Sequence, residues 1–158
     1  MTLAVGTPIP DLALVGTGGD LVQLRAYIGQ KTLVLYFYPK DHTPGCTKQA
    51  CGFRDAYEQF TSAGAEVIGI SASPSATHEA FRAEHRLPFR LLSDPDGKAR
   101  AAFAVGKTLG LADSRVTFVV DHSGLVRHVF DSLLRVNKHI ADALAMVREL
   151  EEQRTRKR

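Results

Sequence analysis

The run Thr32-Leu-Val-Leu-Tyr-Phe-Tyr38 is apolar at nearly every position and rich in strand formers. An apolar run without alternation predicts a strand buried on both faces, as in the centre of a parallel sheet. Pro39 ends it, and Lys40 to Gly45, with Asp, His, Thr, Pro and Gly, reads as a loop. From Cys46 to about Ala63 the pattern turns helical. Ala50, Phe53, Tyr57 and Phe60 recur at three- and four-residue spacing, and Gly64 follows as a C-cap candidate.

The remaining elements follow by the same reasoning. Glu66-Val-Ile-Gly-Ile-Ser71 reads as a second strand. Ser73-Pro74 predicts an N-cap with Pro at the first helical position, opening a helix to about His85. A short strand near Arg90–Leu92 leads into the turn Asp94-Pro-Asp-Gly97 and a short helix ending near Gly106. Arg115–Val120 and Leu125–Phe130 flank Asp121-His-Ser-Gly124 as a hairpin. Asn137 is the expected cap of a final helix whose apolar positions Ile140, Leu144, Val147 and Leu150 share one face. Ahead of all this, Leu12–Leu14 and Leu21–Leu24 flank a Gly-rich turn and predict an opening hairpin. This order predicts an α/β chain with a thioredoxin-like fold: a central mixed β-sheet flanked by helices, with an N-terminal β-hairpin.

Length and composition keep the picture simple. The 158 residues fit a single domain, expected over residues 1–152, followed by a basic tail at 153–158. Arg154, Arg156, Lys157 and Arg158 hold much of the net charge of +3; a solvated, frayed terminus is expected there rather than a nucleic-acid or membrane site. The 44% hydrophobic content is ordinary, and no apolar run approaches the roughly 20 residues that span a bilayer. The N-terminus has no basic n-region leading into an apolar h-region, which points to a cytoplasmic protein.

The chemistry centres on the two cysteines, Cys46 and Cys51. Two thiols are too few for a secreted disulfide scaffold, and in a reducing compartment a close pair is more often catalytic or metal-binding. Zinc is a poor fit, because no second Cys/His pair completes a tetrahedral set. Cys46 falls at a helix start, where unpaired N–H groups and the dipole favour thiolate. Thr43 stands three residues earlier, with a hydroxyl able to reach the sulfur. Pro39 and Pro44 stiffen the loop, and Gly45 permits close backbone approach. The plainer alternatives are an inert Cys at a capped helix start and a Cys51 that is only a small buried hydrophobe.

Spacing adds a constraint. Cα atoms five residues apart in a helix lie ~8.6 Å apart, whereas a disulfide requires about 4.4–6.8 Å. If Cys46 and Cys51 bond, the first turns of the helix must unwind.

The stretch Tyr36-Phe-Tyr-Pro-Lys-Asp-His-Thr-Pro-Gly-Cys-Thr-Lys-Gln-Ala-Cys-Gly-Phe-Arg-Asp55 resembles the active-site segment of peroxiredoxins, and more narrowly of the Q-type, or bacterioferritin-comigratory, subfamily. The family pattern Pro-x-x-x-Thr-x-x-Cys is met by Pro39, Thr43 and Cys46, and Cys51 stands where the subfamily places a second Cys. Arg115-Val-Thr-Phe-Val-Val-Asp121 resembles the second family motif.

The resemblance implies a thiol peroxidase acting on hydrogen peroxide and organic hydroperoxides. Cys46 would be the peroxidatic cysteine, oxidised to sulfenic acid, and Cys51 would resolve it as an intramolecular disulfide. Pro39, Thr43, Gly45 and Arg115 would form the substrate pocket, with Thr43 and Arg115 polarising the peroxide. Thioredoxin or a similar dithiol would be the reductant. No metal or organic cofactor, no nucleic acid and no membrane is implied, and monomer is favoured over dimer.

One departure is Gln49, where the family usually has Glu: Gln offers the Arg only a neutral acceptor. His42 fills a variable slot and is expected to be an exposed loop residue. Two other functions use the same residues. A general thiol–disulfide oxidoreductase is disfavoured by the absence of Cys-x-x-Cys. A redox sensor whose helix unfolds on oxidation would need the same switch.

Overall fold

The structure, a computed structural model, describes residues 2–108 and 112–157. Nine strands and four helices are found among them: β1 (Ala13–Gly16), β2 (Leu21–Gln23), β3 (Thr32–Phe37), α1 (Pro44–Ser62), β4 (Ala65–Ser71), α2 (Ser75–His85), β5 (Arg90–Ser93), α3 (Lys98–Ala102), β6 (Lys107–Thr108), β7 (Ala112–Asp113), β8 (Val116–Val120), β9 (Val126–Asp131) and α4 (Val136–Arg156). Seven strands form one mixed sheet in the order β2-β1-β5-β4-β3-β8-β9. β3, β4 and β5 run parallel, while β8 and β9 add antiparallel on one side and the β1–β2 hairpin on the other. This is the expected thioredoxin-like sheet with its N-terminal hairpin.

The unbroken apolar run of β3 is explained by its central place. Val34 and Tyr36, with Tyr38 beyond the strand, enter a core with Phe53 and Phe60 of α1, Phe81 of α2 and Leu144 and Val147 of α4. Leu33, Leu35 and Phe37 enter a second core on the opposite face, with Phe103, Phe118, Leu24 and the N-terminal Ile9 and Leu12. Every β3 residue is buried, and all after Thr32 are apolar or aromatic.

Besides the start of α1, three predicted helix ends differ. Ser73 does not cap α2: the helix starts at Ser75 with Pro74 as the flanking residue, and Ser73 Oγ instead accepts the Asp41 N–H at 3.1 Å. Asn137 lies inside α4, which begins one residue before it. The short helix α3 stops at Ala102, well before Gly106, because Ala104 turns left-handed at φ 54°. The tail is also more ordered than expected. α4 continues to Arg156, with Arg154 and Arg156 paired one turn back to Glu151 and Glu152.

His139 of α4 is fully buried. Its Nε2 donates to the Ser132 carbonyl at 2.7 Å, so Nδ1 is the acceptor for the Thr117 hydroxyl at 2.8 Å. Burial lowers its pKa to about 4, and burial also lowers those of His122 and His128. A histidine in the unfolded chain titrates near 6.5, so between these values the unfolded state binds more protons. Stability is therefore full above about pH 6.5 and is lost as pH falls towards about 4, at up to about 1 kcal/mol per pH unit from His139. Urea unfolding across this range is expected to show that decline, and His139→Gln to flatten it.

Candidate active site

β3 and β8 lie side by side and antiparallel, with Phe37 paired to Val116. The carboxyl end of β3 therefore meets the start of β8. Tyr38 and Pro39 leave β3 at the point where Arg115 enters β8. The loop 39–43 then turns back into α1, and Cys46 lies in its first turn.

α1 begins at Pro44, two residues before the predicted start, so Cys46 is the third helical residue. Thr43 is the flanking residue, but its side chain makes no cap: Oγ1 donates to the Lys40 carbonyl at 2.9 Å. Its proton is thus committed to the backbone, and its lone pairs are what it can offer a ligand. Cys46 is buried at 1% exposure, Cys51 is half-buried, and both are free thiols within α1. Pro39 is half-buried.

Arg115 is buried, 4% exposed. Its Nη1 donates to Gln49 Oε1 at 2.6 Å and its Nε to the Leu133 carbonyl at 3.1 Å. No carboxylate lies within ion-pair distance of it among the described residues. A Cβ on Gly45 would come 2.9 Å from its Nη2, so the guanidinium rests on the backbone of the residue before Cys46. A buried cation against a neutral amide, beside a helix N-terminus, presents uncompensated positive charge to whatever anion forms there.

The sequence-predicted residues Pro39, Thr43, Gly45, Cys46, Cys51 and Arg115 thus gather around one helix start. His42 is exposed as expected, with a left-handed backbone (φ 64°) and Nδ1 3.3 Å from Glu84. Sequence reasoning missed three groups. Arg100 donates to the carbonyls of Tyr38 and Ser114, tying the end of β3 to the residue before Arg115. Asp41 and His78 form a buried pair beneath the loop. No local pattern flags these, because each partner comes from a distant element. A cleft of about 550 Å³ between α1 and α4 is lined by residues such as Glu58, Ser62 and Arg148 and lies turns away from Cys46. A substrate of a few atoms needs no such volume.

A thiol at a helix start, under a thioredoxin-like sheet and beside a buried arginine, defines a thiol peroxidase. The chain belongs to the AhpC/TSA family, which it matches over residues 5–129. Within that family it is a peroxiredoxin of the Q type, and so a thiol-dependent peroxidase. It is 45% identical over 146 residues to the chloroplastic peroxiredoxin Q of Triticum aestivum, covering 92% of this chain and 67% of that protein. The crystal structure of peroxidoxin BcpB from Mycobacterium tuberculosis superposes with a TM-score of 0.87 at 34% identity, over 94% of this chain and 98% of that one. A Xanthomonas campestris peroxiredoxin Q structure gives 0.85 at 33% identity, over 94% and 97%. The expected cytoplasmic location is overturned: the curated relatives from wheat, Sedum lineare and Arabidopsis thaliana are all chloroplastic.

Gly45→Ala is expected to displace the guanidinium of Arg115. The second-order rate with hydrogen peroxide should fall by about tenfold or more, a loss of at least about 1.4 kcal/mol of transition-state stabilisation. Competition kinetics against a haem peroxidase, with thermal melting to confirm folding, checks this.

Proposed function

We propose that Cys46 is the peroxidatic and Cys51 the resolving cysteine of this peroxidase. The observation that carries the reading is the uncompensated Arg115 guanidinium seated on Gly45, one residue from a buried thiol. The Cys46 thiolate attacks one peroxide oxygen; the S–O bond forms as the O–O bond breaks, and the departing oxygen takes a proton to leave as water or an alcohol. Thr43 Oγ accepts the hydroperoxide O–H and aligns it, and Arg115 stabilises the charge on the departing oxygen. Pro39 and Gly45 complete the pocket, the first by excluding water and the second by letting the guanidinium approach.

Cys51 then attacks the sulfenic sulfur, and the S–S bond forms with loss of water. Helical geometry forbids this in place, so the turns from Cys46 to Cys51 unwind first. Local features support such a step. Gly45 and Gly52 bracket the segment, and each costs a helix about 1 kcal/mol relative to Ala. α1 has no side-chain cap and no acidic residue in its first turn. Packing of Cys46, Gln49 and Ala50, and the Gln49–Arg115 bond, hold these turns closed.

A thioredoxin-like dithiol reduces the disulfide through a mixed disulfide. Hydrogen peroxide and organic hydroperoxides are the substrate class. The chain works as a monomer: the exposed large apolar side chains among the described residues are only Val5, Val15, Leu21 and Leu134.

The test is peroxide consumption with thioredoxin, its reductase and NADPH. Cys46→Ser is expected to abolish turnover. Cys51→Ser should consume about one peroxide per chain and then stall. Sustained turnover by Cys46→Ser would refute the assignment.

A further inference from the structure

Beneath the loop that precedes Cys46 lies a polar cluster to which the peroxide chemistry assigns no task. The Asp41 side chain is 2% exposed and that of His78, on α2, is 1% exposed. Taking such a pair out of water costs more than its attraction returns unless its other lone pairs and protons are also satisfied. Here they are. His78 Nδ1 lies 2.6 Å from Asp41 Oδ2, and Nε2 lies 3.0 Å from the Leu92 carbonyl. The Tyr38 hydroxyl donates to Asp41 Oδ1 at 2.6 Å. The Asp41 N–H donates to Ser73 Oγ, and the Ser73 N–H to Ser71 Oγ.

Three of these bonds end on Asp41, in the middle of the loop. Pro39 is two residues before Asp41 and Thr43 two residues after. His42, between Asp41 and Thr43, holds a left-handed backbone that costs a non-glycine residue about 1 kcal/mol or more and persists only where its surroundings impose it. α2 grips the loop a second time there, with Glu84 3.3 Å from His42 Nδ1 and the Phe81 ring edge-on to it at 5.1 Å. None of these groups belongs to residues 44–51, the segment that must unwind. The loop is therefore the fixed jaw and the start of α1 the moving one.

We propose that His78 is a positioning residue: by clamping Asp41 from α2 it holds loop 39–43, and with it Pro39 and the Thr43 hydroxyl, in the arrangement that receives peroxide beside Cys46. The clamp stays closed when α1 unwinds, and the helix re-forms against it after reduction. This rests on the reading of Cys46 given above.

The test compares two reactions of the same sulfur in His78→Gln, whose amide can donate to Asp41 but cannot also reach Leu92. Alkylation by iodoacetamide needs the thiolate but not the loop; reaction with hydrogen peroxide needs both. The peroxide rate constant is expected to fall by about tenfold or more while the alkylation rate stays within about twofold of the parent. A peroxide rate within about twofold of the parent, or both rates falling together, would overturn the clamp. If His78→Gln does not fold, Asp41→Asn, equal in shape and one charge poorer, decides by the same ratio. Failure of both to fold makes the pair a requirement of the fold and overturns the positioning role. A parent that consumes no peroxide sinks the Cys46 reading and the clamp with it. Unaltered variants of an active parent sink the clamp alone.

Discussion

Val116 pairs with Phe37 across the antiparallel β3–β8 ladder, and that register decides which side chains can meet at Cys46. It sets the carboxyl end of one strand against the amino end of its neighbour. Arg115 therefore arrives where the loop after Tyr38 turns into α1, although 69 residues separate it from Cys46. A slip of one residue would turn Arg115 to the opposite face and leave α1 without its cation. The two apolar cores on either side of β3 hold the register, because each alternate residue of that strand is committed to one of them.

The proposed disulfide between Cys46 and Cys51 asks α1 to be a helix and to stop being one. Its early turns are poor in local stability: two glycines, no side-chain cap, no acid at the amino end. What closes them is tertiary. Phe53 and Phe60, further along, are locked into the core, Phe53 stacked on Tyr36 and in contact with Phe60, so unwinding need not spread past Gly52. Gly52 marks the change, since Ile140 of α4 packs where its Cβ would be.

Much of this was legible in the chain. The unbroken run in β3, the helical spacing after Cys46 and the cysteine pair each rest on local pattern, and local pattern carried them into the structure. The helix caps were less legible for a definite reason: a hydroxyl can serve only so many partners. Ser73 had the right place to cap α2, but the Asp41 N–H, 32 residues away, claims its oxygen. The Asp41–His78 pair spans 37 residues and belongs to no motif, so only the fold reveals it. Arg115 and Gln49, 66 residues apart, were paired in advance only through the family resemblance.

Gln49 bears on how readily the catalyst changes shape. A glutamate there would make a buried ion pair with Arg115, and separating such a pair by removing one partner costs roughly 3–5 kcal/mol. A neutral acceptor facing a charged donor forfeits only about 1.5–3 kcal/mol when the bond is lost. The amide therefore anchors the guanidinium less firmly but also raises a lower barrier to its release. On the proposed reading of Cys46 and Cys51, the neutral amide lowers the cost of unwinding the turns that keep the two sulfurs apart.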